Sequence, residues 1–272
     1  MIRDITIGQY YPAESAIHKL DPRVKLFSTL IYIIALFCFR GIAGFVIITA
    51  ALAAVIKISK VPFKFMVKGL KAIVILLLIT GVFNLLFTPG DITIWSWGPF
   101  KLTDAGISNA ILMVLRLIYL ILGTSLMTLT TTPNQLTDGL EKALGPLNKI
   151  HVPVHAIAMM MSIALRFIPI LIEETDKIMK AQMARGADFE NGNLIQKARN
   201  MIPLLIPLFV SAFRRADDLA MAMEARCYSG GEGRTKMKPL TYDKKDYIAY
   251  ILDSVFIVLV VAARVFVPFP MK

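Results

Sequence analysis

Metal and redox chemistry have little to work with in this sequence. Its 272 residues hold three histidines and two cysteines. Cys38 lies in an apolar stretch and Cys227 in a polar one, far apart and in no metal or redox spacing, so neither a disulfide framework nor a metal site is expected. His151 and His155 are four apart, but no Cys, Asp or Glu close by in sequence completes a ligand set.

Acidic residues are scarce as well, 19 against 30 lysines and arginines, for a formal net charge of +11. That balance could suit nucleic acid, yet the chain has no basic low-complexity arm, no zinc-finger spacing and no aromatic-basic ladder. Positive loops held at a cytoplasmic membrane face explain the charge better, and no nucleic-acid partner is expected. A Walker A loop is also missing. Gly230-Gly231-Glu232-Gly233 runs into Arg234-Thr235-Lys236 without the spacing, or the adjacent Lys-Ser/Thr, that cradles phosphates. Residues 1–25 carry scattered charges and no apolar core of a cleavable signal, so the first spanning helix is expected to direct insertion.

What the chain does have is apolar length. Hydrophobic residues make up 56% and charged residues only 18%, where globular domains hold about 45–50% apolar residues. Crossing roughly 30 Å of hydrocarbon takes about 20 apolar residues, with about 17 as a lower limit. Residues 24–39 and 42–56 read as a tight helical hairpin around Arg40-Gly41, 73–87 as a third span, 105–129 as a fourth and 246–266 as a fifth. Arg116 falls well inside the fourth run, where a cation ordinarily faces other protein, and we expect a structural contact. Between spans three and four, Thr93 to Trp97 alternates and carries two indoles, which predicts a hairpin-like excursion anchored at the interface by Trp95 and Trp97.

Arg3, Lys19, Arg23 and Lys25, with Lys57, Lys60, Lys64, Lys68 and Lys71 in a loop near Pro62, fall on one side of this arrangement, whereas the opposite loops hold mainly Arg40 and Lys101. By the positive-inside rule the N-terminus is cytoplasmic and the C-terminus outside. The expected organisation is an all-α polytopic membrane protein. Residues 1–132 form the N-terminal segment and four spans, 133–245 form cytoplasmic coupling helices, and 246–272 hold the last span.

Three amphipathic helices are expected in the middle segment. Thr132-Pro133 starts the first, with Leu136, Leu140 and Leu144 in a stripe. The second runs over about 153–185 and is kinked by Pro169; the third runs over about 195–226. Both open apolar and close polar, and their ends match: Asp176, Ala181, Ala184 and Arg185 recur at the same offsets as Asp217, Ala222, Ala225 and Arg226. Ala212, Ala216 and Ala220 share one face of the third helix, which predicts a close crossing of the two.

An arginine in the last turn of a helix gains about 0.3–1 kcal/mol from the helix dipole, and that alone could place either one. Gly186 after Arg185 can close its helix in the left-handed conformation and leave the arginine on a rigid tip. A guanidinium pairs bidentately with carboxylates where a lysine offers a point charge, so two matched tips predict two acidic grooves on a partner. The candidate docking residues are therefore Ala184, Arg185 and Gly186 with Ala225, Arg226 and Cys227.

The same residues resemble a known family, the transmembrane T components of energy-coupling factor transporters, which includes CbiQ-like proteins. The resemblance rests on Gly8-Gln9-Tyr10, Ser15, and His18-Lys19-Leu20-Asp21-Pro22-Arg23 with Lys25. It rests further on Thr130-Thr131-Thr132-Pro133, on Leu165-Arg166-Phe167-Ile168-Pro169, and on both Ala-Arg tips. It implies a multi-pass protein of a bacterial or archaeal cell membrane. It also implies a non-catalytic subunit of an ABC importer that joins two ABC ATPase subunits to a substrate-binding S component for uptake of vitamins or transition-metal ions. ATP and Mg would be bound by the partner ATPases, with no cofactor in this chain, and Arg185 and Arg226 would each dock on one ATPase. Cys227 stands where the family has glycine or serine and lacks glycine's backbone freedom, which predicts a less well closed end at Arg226. Two other readings compete: a membrane enzyme using Arg116 or Asp253, which sparse acids in the spans disfavour, and a secondary transporter, which calls for inverted membrane repeats.

Overall fold

Helix starts in this chain are set by short polar signals. Asp21 precedes Pro22, and its carboxylate accepts the Arg23 N–H at 2.8 Å, so α1 (Pro22–Cys38) begins with a capped first turn and a proline where no N–H is needed. Thr103 does the same for α4 (Asp104–Thr130), its hydroxyl accepting from the Gly106 N–H at 3.0 Å. At α5 (Pro133–Ala143) the exchange is reciprocal: Gln135 N–H donates to Thr132 Oγ1 at 3.3 Å and Thr132 N–H to Gln135 Oε1 at 3.1 Å, a capping box. The Thr130-Thr131-Thr132-Pro133 run is thus the turn between two helices.

The structure is a computed structural model and describes residues 10–39, 42–89, 93–97, 100–187, 189, 193–230, 237 and 239–266. Gly8, Gln9, Arg3, Arg40 and residues 231–236 lie outside the described residues, as do the side chains of Trp95 and Trp97. The remaining elements are α2 (Ile42–Ser59), α3 (Phe63–Phe87), β1 (Thr93–Trp97), β2 (Phe100–Thr103), a 3-10 turn (Gly145–Ile150), α6 (Val154–Ala184), α7 (Leu194–Glu224) and α8 (Lys244–Phe266). β1 and β2 pair antiparallel, so the excursion between spans is a small hairpin on an otherwise helical protein.

The described residues divide into two compact units, one of residues up to Gly139 with those from Leu240 on, the other of Leu140–Pro239; the boundary falls within α5 on one side and before α8 on the other. In the first unit α4 packs against α1, α2 and α3, and α8 against α1 and α2. One apolar cluster joins Leu36, Phe39, Phe45, Ile48 and Val260; another joins Leu52, Met66, Leu122, Leu126 and Leu129. α1 and α4 come close at Gly123, where an added Cβ would stand 2.3 Å from the Tyr32 ring. The Tyr32 hydroxyl donates to the Tyr119 carbonyl at 2.8 Å beside it.

Elsewhere the helices of this unit expose their apolar side chains, as α3 does with Ile75, Leu78, Ile79, Val82 and Phe83. In water this would be an aggregation surface; in a bilayer it is the lipid face. The structure therefore describes an all-α polytopic membrane protein. Its span count differs from the five expected. By length and composition α4, α6 and α8 reach across a bilayer, and α3 makes a fourth if its arms Phe63–Lys71 and Ile73–Phe87, 63° apart, count as one. The 17 residues of α1 rise only about 25 Å, and the apolar part of α2, Ala43–Ser59, is as short. Conversely, α6 qualifies although the sequence places it among the coupling helices, because its opening half is so apolar. Lys64, Lys68 and Lys71, expected in a loop, lie on the first arm of α3.

Arg116 proves to be a structural contact. Its guanidinium donates to the Phe39 carbonyl at 3.0 Å, satisfying the open end of α1, and lies 5.8 Å and 5.9 Å from the ring centres of Phe37 and Phe39. Asp253 is likewise tied into the bundle, accepting from the Ser28 hydroxyl of α1.

Candidate functional site

Both candidate tips end in the same backbone device. At α6, the Gly186 N–H donates to Met183 O and the Ala187 N–H to Gln182 O, each at 3.0 Å, with Gly186 at φ +89°. At α7, the Cys227 N–H donates to Glu224 O at 2.8 Å and the Tyr228 N–H to Met223 O at 3.0 Å, with Cys227 at φ +56°. These are the two hydrogen bonds of a Schellman closure, with the left-handed residue directly after the arginine in each case. The expectation of a poorer end at Arg226 is therefore corrected: Cys227 takes up the left-handed conformation that glycine would supply. An L-residue there costs roughly 1–2 kcal/mol, which the two orphan carbonyls it satisfies help to offset.

The tips project. Ala184, Arg185, Gly186, Ala225, Arg226 and Cys227 are all exposed, and neither guanidinium has a hydrogen bond or ion pair with a described residue. The matched aspartates behave differently, since Asp176 pairs with Lys180 at 2.9 Å whereas Asp217 is exposed.

The helices carrying the tips lie against each other in opposite senses. Ser211 and Arg215, one turn apart on α7, both reach Glu174 of α6, the first through its hydroxyl and the second at 3.0 Å, and Gln182 Nε2 donates to Pro203 O at 3.3 Å. The tips therefore leave the contact from opposite ends, and α7 runs roughly 16 Å past Arg215 before its own. Of the alanines expected at the crossing, Ala212 is half-buried and Ala216 and Ala220 are exposed. Sequence reading missed Glu174, Ser211 and Arg215; a carboxylate on α6 and a hydroxyl and cation spaced by four on α7 were the available signal. Pro169, Pro203 and Pro207 all lie inside continuous helices. His155 pairs with Glu141 at 3.0 Å, and His151, at φ +61°, sits before α6 rather than on its face.

A second constellation, in the other unit, explains the His18-to-Lys25 stretch. The Arg23 guanidinium bonds Asp21 at 2.8 Å, donates to Leu240 O at 3.3 Å and lies 3.9 Å from the centre of the Tyr242 ring. Asp246, buried at the start of α8, accepts the Asp21 N–H at 2.9 Å and the Asp243 N–H at 2.8 Å. Burial acts to raise the Asp21 carboxyl, but the Arg23 hydrogen bonds and charge, with Lys25 adding, hold it below the usual carboxylate value. The Lys25 ammonium, buried in its turn, donates to His18 O at 3.1 Å and Thr130 O at 2.9 Å. His18 Nε2 donates to Tyr11 O at 3.1 Å, and its Nδ1 is hydrogen-bonded to the Ser15 hydroxyl at 2.7 Å. The stretch is a clamp that fixes the chain entering α8 to the start of α1 and the end of α4.

Residues 13–237 match the model of the CbiQ family, described as cobalt transport protein. An energy-coupling factor transporter transmembrane protein, EcfT, of Clostridium kluyveri is 55% identical over 266 residues, covering 97% of this chain and 98% of that one. The protein of the same name from Ruminiclostridium cellulolyticum is 52% identical over 261 residues, covering 96% and 97%. That of Bacillus subtilis is 46% identical over 263 residues, covering 97% of each. With matches of this length and identity, and apolar helices suited to a bilayer, the chain belongs to the CbiQ family and, within it, to the EcfT transmembrane components of energy-coupling factor transporters.

Proposed function

We propose that this chain carries mechanical work from two cytoplasmic ABC ATPase subunits to a membrane-embedded S component, driving uptake of a vitamin or a transition-metal ion. It hydrolyses no ATP itself; ATP and Mg belong to the partner ATPases. The observation that supports this best is the pair of exposed arginines, each on a helix end closed by the same two hydrogen bonds and each without a partner among the described residues. A rigid tip spends little entropy on docking, and a close interfacial charge pair contributes about 1.5–7 kcal/mol of coupling. Arg185 enters an acidic groove on one ATPase and Arg226 its counterpart on the other. The Glu174 contact makes α6 and α7 move together, so closure of the ATPases turns the crossed pair as a lever.

The N-terminus faces the cytoplasm in this reading, which rests on the lysine distribution. α7 also leaves Ile202, Ile206, Phe209 and Phe213 exposed along one face, a surface suited to lipid or to the S component. The test is charge reversal at both tips, Arg185→Glu with Arg226→Glu, in a co-purification of the whole complex. The ATPases are lost while the S component and the helix content are retained. Full recovery of both ATPases would contradict the proposal.

A further inference from the structure

A cavity of about 480 Å³ opens between the segment before α1, the end of α2 and the start of α8. Lys19, Lys57, Lys60 and Lys245 line it, with Glu14 the one acid among them and Ile58 on its wall. Lys19 and Glu14 form a loose, exposed pair at 3.7 Å. Lys57, Lys60 and Lys245 have no hydrogen bond or ion pair with a described residue.

Lys60 follows the last turn of α2, where the helix dipole favours a cation, but its backbone and the placement of Lys245 are both costly. Lys60 occupies the left-handed region at φ +56°, a conformation that L-residues adopt only at a cost. Lys245 stands in the first turn of α8, the end at which a helix already concentrates partial positive charge and where a cation is unfavourable. Four ammonium groups around one cavity repel each other, and an anion with several acceptor oxygens relieves the repulsion at once.

We propose that this cavity binds the phosphate headgroup of an anionic phospholipid. Phosphate chemistry follows from the lysines, and the lipid follows from the wall. Ile58, half exposed, lines the cavity, and Val55, one turn back on α2, and Phe63, at the start of α3, are exposed too. A free phosphate has no use for an apolar wall, whereas acyl chains leaving the headgroup run along it. The leaflet concerned is the cytoplasmic one, which rests on the orientation proposed above. A bound lipid would brace α2 against the clamp at the start of α8.

The test uses the full chain alone in detergent micelles, without ATPase or S component, so its outcome is independent of the arginine tips. Phosphatidylglycerol and phosphatidylcholine are titrated in and retained lipids counted by native mass spectrometry, with inorganic phosphate and glycerol 3-phosphate as separate arms. The expected result is a preference for phosphatidylglycerol that falls about fivefold for each lysine removed, and on the order of a hundredfold in Lys57→Gln with Lys60→Gln and Lys245→Gln. Lys64→Gln with Lys71→Gln, which leaves the cavity intact, keeps the preference. Glu14→Gln raises it by a few fold, a gain that a misfolded variant would not show. The proposal is overturned if the triple variant retains the preference, if both lysine sets lose it equally, if inorganic phosphate or glycerol 3-phosphate displaces the lipid at equal concentration, or if no lipid is preferred, as for a site that takes an acidic protein instead. Protease access to an N-terminal tag in sealed vesicles reads the orientation separately.

Discussion

The clamp in the bundle and the two tips of the 140–239 unit treat charge in opposite ways. In the bundle, Asp21, Arg23, Lys25 and Asp246 are each held by partners, and Asp21, Lys25 and Asp246 are buried. In the 140–239 unit, Arg185 and Arg226 stand on exposed tips with no partner among the described residues. The clamp charges hold parts of the bundle together, whereas the tip charges face outward on closed helix ends, and substitutions in the two places should therefore fail in different measurements.

The largest expected effect is in the clamp. Asp21→Ala removes the cap of α1 and leaves the Arg23 guanidinium, only 14% exposed, without its carboxylate. Breaking such a buried pair costs about 3–5 kcal/mol, seen as a lower thermal unfolding midpoint in detergent. If Asp21→Ala leaves that midpoint alone, the division between a stability-bearing bundle and partner-seeking tips is wrong.

At the tips the effects are smaller and local. Gly186→Ala places a Cβ at φ +89° and should destabilise the last turn of α6 by about 1–2 kcal/mol, whereas Cys227→Gly should strengthen the last turn of α7 by a similar amount. Amide hydrogen exchange at Ala187 and Tyr228 reads both, faster in the first variant and slower in the second. Equal exchange in all three proteins would mean that the closures are not what holds the tips.

The smallest effect is a pH dependence. Burial, helped by the Lys25 charge and opposed by the Tyr11 carbonyl, holds the His18 ring below its ordinary value of 6.5. The folded state thus binds this proton more weakly than the unfolded one. Its contribution is complete above pH 6.5 and is lost as the pH falls from there through the folded value. Thermal stability should decline on acidification below pH 6.5, and His18→Gln should remove that part of the slope.

Helix positions were largely legible because their signals are local. Thr132-Pro133 and Gly186 each act within one turn, and α5 and α6 begin or end within a residue or two of the expected places, whereas α3 starts ten residues before the expected span. What the sequence hid is long-range or conformational. Asp21 and Asp246 stand 225 positions apart, and nothing local announces that one caps the backbone beside the other. The left-handed Cys227 could not be foreseen because its cost is met by hydrogen bonds that exist only once α7 has formed. The polar contact of Glu174 with Ser211 and Arg215 was hidden by the neighbouring alanines, whose spacing suggested a closer seam than Ala216 and Ala220 make. The span count depended on length, and α1 at 17 residues sits at the edge of the reach a bilayer demands.

The central claim is that the two tips are equivalent docking points, and it is tested most directly by measuring ATPase affinity for Arg185→Ala, Arg226→Ala and the double variant in the assembled complex. Each single variant should weaken binding by about ten- to a hundredfold, as expected for loss of one charged interfacial bond, and the double variant should lose far more than either. A single variant with no effect, or one as damaging as the double, would contradict the account.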